Sequence, residues 1–178
     1  RWSAQLLETH ISYPQLAYYR SQHSNQSWLA TLTTILDSTS LLIARPDAPP
    51  ASQAHLTFAM ARHALVDITQ GFVRRPLPNG GDRLTGSGIG AMRDRLAGTP
   101  MRLPAAGDFD TRLAGLRLMY EPYAQALGAH LLFELPPWVH AQPRRDNWQG
   151  GPWDRMLSAR RDPAHRAGDE ERCDEPDQ

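Results

Sequence analysis

SQHSNQSWLATLTTILDSTSLLIA, residues 21–44, decides the fold: a polar cluster rich in side-chain oxygens opens onto a long apolar helix. Ser27 stands immediately before the apolar periodicity and is the expected N-cap, its hydroxyl serving an amide that the first helical turn leaves free. On a helical wheel Leu29, Leu32, Ile35, Leu36, Thr39, Leu42 and Ile43 form one stripe, and Ala30, Thr33, Asp37, Leu41 and Ala44 occupy the opposite side. That side is only weakly polar, so the helix belongs in the middle of a bundle with neighbours all round. Asp37 is its one acidic residue and needs a partner, because a buried carboxylate alone shifts toward its neutral form.

Working outward, Arg1–Leu7 already reads as helix with no cap ahead of it, and further helix is expected upstream. Tyr13-Pro14 forces an extended residue before a short second helix, Pro14 to Arg20. The prolines of Arg45–Pro50 end the central helix and Ser52 caps the next. From Ala54 to Phe72, Leu56, Met60, Ala61, Ala64, Leu65, Ile68 and Phe72 share an apolar face, with His55, Arg62, Thr69 and Gln70 outside it. Gly71 to Gly107 is proline- and glycine-rich, with one helix expected from Ile89 to Ala97 and Gly98 as its left-handed stop. A last long helix starts near Asp108 or Asp110, breaks near Glu121 because Pro122 lacks an amide, and stops at Pro136-Pro137.

The pattern predicts an all-α fold, a single bundle of about five or six helices with an irregular Trp-rich C-terminal wrap carrying Trp138, Trp148 and Trp153. Its expected organisation is a helical domain over 1–157, with 70–107 as an irregular excursion, and a disordered charged tail over 158–178.

Composition narrows the function. With 178 residues and zero formal net charge, no basic face for a nucleic acid is visible. All 19 basic residues are Arg, which removes the Schiff-base lysine and the P-loop lysine. The one cysteine, Cys173, allows neither an internal disulfide nor a thiolate cluster, and a reducing compartment fits. The apolar run Trp28 to Ala44 contains hydroxyls and Asp37, whose charge at mid-bilayer costs roughly 2.5–3.5 kcal/mol, so it is not expected to span a membrane. No signal peptide is evident, and the chain opens on Arg1.

Short motifs are weak. Gly86-Ser87-Gly88-Ile89-Gly90-Ala91 matches the dinucleotide fingerprint in letters but lacks the strand that must precede it, and reads better as a flexible linker. His63 with Asp67, and His130 with Glu134, place an imidazole and a carboxylate one helical turn apart, too few ligands for a four-helix metal site. Asp37 with Arg62 or His63, extended to Asp67, is the candidate buried polar network, and a pH sensor is its sharper version. Met119 to Tyr123 has the mix of a pocket wall, with Tyr120, Glu121 and Tyr123 as candidates beside Trp148; a kinked core helix explains the same residues by packing. Serine in a nucleophile elbow is absent, so no catalytic residue, cofactor or metal is assigned.

Several longer phrases together resemble the C-terminal cytoplasmic region of bacterial two-transmembrane-helix potassium-channel-like proteins, often called the two pore domain potassium channel family. They are Arg1–Leu7 (RWSAQLL), Ile11–Leu42 (ISYPQLAYYRSQHSNQSWLATLTTILDSTSLL), Leu56–Asp67 (LTFAMARHALVD), Tyr120–Leu127 (YEPYAQAL), Leu135–Trp138 (LPPW) and Asp146–Gln149 (DNWQ). Residues 75–107 and those after Trp153 depart from it. The resemblance implies a soluble helical appendage at the cytoplasmic face of the inner membrane, joined to a pore lying upstream and supporting assembly or regulation of potassium transport without chemistry of its own. It implies a homo-oligomer formed through the parent channel, no nucleic-acid partner, and membrane association only through upstream helices. Because the ion is coordinated by carbonyls of the absent filter loop, no ion-binding residue is inherited. The alternative is a helical module sensing a small molecule or metal, with Trp138 to Trp153 as a lid.

Overall fold

Ser27 does cap the central helix. Its Oγ accepts the Ala30 amide at 3.0 Å, and α2 runs Trp28–Ala44. The computed structural model describes residues 1–19, 27–46, 52–75 and 82–139. These form α1 (Trp2–Ser12), a 3-10 turn (Pro14–Tyr18), α2, α3 (Ser52–Phe72), α4 (Gly86–Leu96), α5 (Asp108–Leu118) and α6 (Glu121–Leu131), with no strand among the described residues. The fold class is therefore all-α. Arg1–Val139 makes one compact unit, while the second, His140–Gln178, lies outside the described residues. With it lie the boundary after residue 157, the charged tail, Trp148 and Trp153.

On α2 only Thr31, Thr34 and Ser38 are fully turned to solvent. The helix packs against α3, α5 and α6, and α1 packs on α3. Its buried hydroxyls are satisfied within the helix: Thr33, Thr39 and Ser40 donate to the carbonyls of Leu29, Ile35 and Leu36 at 2.8, 2.7 and 2.7 Å. This is how a helix with so many hydroxyl groups occupies the centre of an apolar bundle.

Two apolar clusters result. The larger gathers Leu29, Leu32 and Leu36 of α2 with Phe58, Leu65 and Ile68 of α3 and Tyr120, Ala124 and Leu127. The smaller holds Ala44, Leu84, Met92, Leu103, Phe109 and Leu113, and Leu116 packs against both. Asp37 lies on α2 between Leu36 and Ala44, and Arg117 and Glu121 lie between Leu113 and Ala124, so the charged residues occupy the seam.

Several local expectations need correcting. Leu56 and Met60 are exposed, whereas Phe58 and Thr69 are buried. The inner face of α3 is rotated because Phe58 packs edge-on against Tyr120 at 6.0 Å, and Thr69 hides its hydroxyl on the Leu65 carbonyl at 2.6 Å. The Gly86–Gly90 stretch is no linker but the start of α4, capped by Thr85 and anchored by Leu84 and Met92 in the smaller cluster. Gly98 does not stop α4 in a left-handed conformation; among the described residues only Gly107 and Leu132 have positive φ. The turn closes with tighter right-handed bonds, such as Thr99 N–H to the Leu96 carbonyl at 3.0 Å.

The break caused by Pro122 is present: α5 ends at Leu118, and Pro122 enters the first turn of α6, where a missing amide costs nothing. α6 ends at Leu131, before the prolines. Leu132 turns left-handed (φ 55°) and Phe133 N–H donates to the Gly128 carbonyl at 2.9 Å. Gly128 suits this close approach, because a Cβ would sit 3.1 Å from the Phe133 carbonyl oxygen and the turn would have to give by a few tenths of an ångström. Leu132 is 76% exposed in a conformation that suits glycine. Leu132→Gly is therefore expected to stabilise the fold by about 1 kcal/mol, read as a higher urea midpoint in dilute protein; an unchanged or lower midpoint would contradict this.

Candidate functional site

The seam between the two clusters is built from four pieces of chain. α2 contributes Asp37; the end of α5 and the start of α6 contribute Arg117, Tyr120 and Glu121; the segment entering α4 contributes Asp82 and Arg83; and the segment after α6 contributes Pro136 and Trp138. The Pro122 break shapes the second piece, because it turns Tyr120 inward one residue before Glu121 begins a new helix.

Arg83 is the hub. Its Nη2 donates to Asp37 Oδ1 at 2.7 Å and its Nη1 to Asp37 Oδ2 at 3.1 Å, a two-pronged match of guanidinium and carboxylate. Nη1 also donates to the Pro136 carbonyl at 2.8 Å, and Nε to Glu121 Oε1 at 2.8 Å. Glu121 passes the connection on: its Oε2 lies 2.7 Å from Arg117 Nη2, which also pairs with Asp82. Arg117 Nη1 donates to the Leu84 carbonyl at 3.2 Å, and Tyr120 donates its hydroxyl to Asp37 Oδ1 at 2.5 Å. Trp138 lies 5.9 Å from the Arg83 guanidinium and 5.5 Å from that of Arg117. Charge alternates along the row Asp82, Arg117, Glu121, Arg83, Asp37.

Burial dominates the electrostatics. It pushes the Asp37 carboxyl above its ordinary value, against the opposing pull of the Arg83 hydrogen bonds and charge, the Tyr120 hydroxyl and the Arg117 charge. Burial, then the neighbouring Asp37 charge, raises the Tyr120 phenol far above its usual range, so it remains a donor. Burial works to lower Arg83, yet Asp37 and Glu121 hold it above its ordinary value. For Asp82 burial is again the largest single influence and pushes it up, but the Arg117 hydrogen bond, the Leu84 amide and the two guanidinium charges together hold it below its ordinary value.

Asp37, expected from sequence to pair with Arg62 or His63, is buried against Arg83 and Tyr120 instead. Arg62 donates instead to the Met119 carbonyl at 2.9 Å, and His63 pairs with Asp67 at 3.4 Å on the outside of α3. The physical reason is reach: α3 presents Phe58, Ala61 and Leu65 to α2, and a guanidinium entering from the segment before α4 fills the polar gap beyond them. Tyr120 and Glu121 belong to the network, and Tyr123 packs against the larger cluster. Trp148 lies outside the described residues. His130 turns to Tyr18 and Phe72.

Arg83, Arg117 and Asp82 are absent from the site residues expected from sequence, and Trp138 is expected there only as part of a wrap or lid. Arg117 and Glu121, four residues apart across the break, were a readable pair, whereas nothing in the sequence around Arg83 announces its role. Among the described residues no group of three or more His, Cys, Asp or Glu is placed to hold a metal ion. No protein-family model, no curated protein and no solved structure matches the chain.

What the arrangement does chemically is hold segments together. Arg83→Met strands the buried carboxylate of Asp37, while Glu121 keeps Arg117, and is expected to cost about 3–5 kcal/mol near neutral pH. Without Arg83 the main influence lowering Asp37 is gone, so folding takes up a proton. Stability is then greatest below the ordinary value of 3.8 and lost as pH rises through the raised one. The deficit against wild type, measured by urea unfolding, should narrow as pH falls toward that ordinary value; a deficit independent of pH would contradict the assignment. Asp37→Leu added to Arg83→Met should recover more than half of the loss, since an apolar pair removes the stranded charge. A loss equal to the sum of the single changes would count against direct coupling.

Proposed function

We propose that the chain is a non-catalytic helical module of a bacterial potassium-channel-like membrane protein, placed at the cytoplasmic face and serving assembly or regulation of ion transport. Support comes from the resemblance carried by Ile11–Leu42, Leu56–Asp67 and Tyr120–Leu127. The observation that carries the regulatory part is the Arg83-centred seam. A gate needs an element with two discrete arrangements, and a buried charge row, in which each group is held by its neighbours, is a candidate for such an element. Among the described residues no helix is long and apolar enough to cross a membrane, and on this reading another part of the parent chain supplies the pore.

The reading frame upstream of Arg1 tests this first: it should encode two apolar spans of about 20 residues each around a filter loop. In proteoliposomes, potassium flux through the full-length product should change in dependence on pH or ligand when Arg83 is replaced by Met. A frame without such spans, or flux indifferent to the seam, would overturn the reading. Saturable thermal stabilisation by a metal or metabolite would favour the sensing module instead.

A further inference from the structure

The 3-10 turn Pro14–Tyr18 faces most of its bulk away from the bundle. With three residues per turn, Tyr13, Leu16 and Tyr19 align in one column, joined by the Leu16 amide to the Tyr13 carbonyl at 3.0 Å and the Tyr19 amide to the Leu16 carbonyl at 3.1 Å. Ala17 takes the inner column, fully buried, and its carbonyl accepts the Trp28 indole N–H at 3.2 Å. Tyr18 takes the third, edge-on to Phe72 at 5.7 Å and with its hydroxyl 3.3 Å from His130 Nε2. His130 near the end of α6 therefore lies beside the turn, and Leu132, two residues further on, is exposed. Ile11, in the last turn of α1, is 61% exposed and Tyr19 71%.

We propose that the face formed by Ile11, Tyr13, Leu16, Tyr18, Tyr19 and Leu132 is the surface through which two copies of this chain associate about a two-fold axis. Three features favour a second copy. The stretch from Ile11 to Tyr19 contains no charged side chain, so this part of the patch can meet its own image without bringing like charges together. Large aromatic side chains with a polar tip, here three tyrosines, are the residues enriched at protein interfaces. The exposed area of these six side chains is roughly 700 Å², taking about 200 Å² for each large side chain, close to the ~800 Å² per partner of a stable interface. The proposal is independent of the channel reading, since it concerns the chain by itself.

Sedimentation velocity on the full 178-residue chain across a dilution series tests it. Wild type should show a monomer–dimer equilibrium. Tyr19→Arg should weaken dimerisation at least tenfold while leaving helical content and dilute-solution melting unchanged, and Leu132→Gly should weaken the dimer although it stabilises the monomer. Leu56→Arg is the control: it lies on the exposed face of α3, roughly 24 Å along the helix from Phe72, and should leave the dimer intact. A mixture of Tyr19→Arg and Tyr19→Asp should restore association. Wild type that is monomeric throughout, or equal loss in Leu56→Arg, would overturn the proposal. So would a monomer that binds neutral phosphatidylcholine vesicles through Tyr19, because the face would then belong to a membrane.

Discussion

A guanidinium buried between two apolar clusters sets the terms on which the rest of this bundle is assembled. Arg83 has four hydrogen bonds to distribute, and they go to α2, to the first residue of α6 and to the carbonyl of Pro136. A charge taken out of water tolerates little slack in its partners, so those three segments are positioned relative to one another more tightly than apolar contacts would require. The cost is visible in Asp37, whose carboxyl burial pushes upward even with Arg83 and Tyr120 bonded to it. We attribute to the pair a role in specificity more than in stability: it selects one register for the segment entering α4 against the bundle.

The parts legible in the sequence were those governed by local rules. Ser27 was readable as a cap because a hydroxyl before an apolar run has one obvious amide to serve, and the break before Glu121 because Pro122 cannot donate. The central position of α2, and the need of Asp37 for a partner, followed from a helix with almost no charge on any face. The partner's identity did not follow. Arg83 is 46 residues from Asp37 and sits after a stretch with no periodicity, where a helical wheel carries no information. Arg62 and His63 were attractive because they lie on a helix that packs against α2, but α3 is rotated by Phe58 meeting Tyr120, which leaves them outside. Leu56 and Met60 satisfied the periodicity without being buried, a reminder that a wide apolar arc does not say which part of it meets the core.

The seam also links fold and function more closely than a list of titratable groups would. Leu116 touches both clusters, Arg117 and Glu121 follow it within a few residues, and Trp138 covers both guanidinium groups from outside. Each charged member is paired with its neighbours along the row, so a disturbance at one is felt first by the groups beside it. In such a row each group depends on its neighbours, and that coupling is what the proposed regulatory role would use. The aromatic face beside α6 lies on the opposite flank of that helix's chemistry: its contacts run through His130 and Tyr18, away from Asp37 and Arg83.

Native-state hydrogen exchange, followed amide by amide in wild type and in Arg83→Met, tests the central claim most directly. If Arg83 is what registers the segment entering α4 against the bundle, the amides of α4 and the first turns of α5 should lose most of their protection in the variant, while α2 and α3 around Leu32, Leu36 and Leu65 keep theirs. Protection lost to the same extent in every helix, or unchanged in α4, would show that the apolar clusters alone set the register.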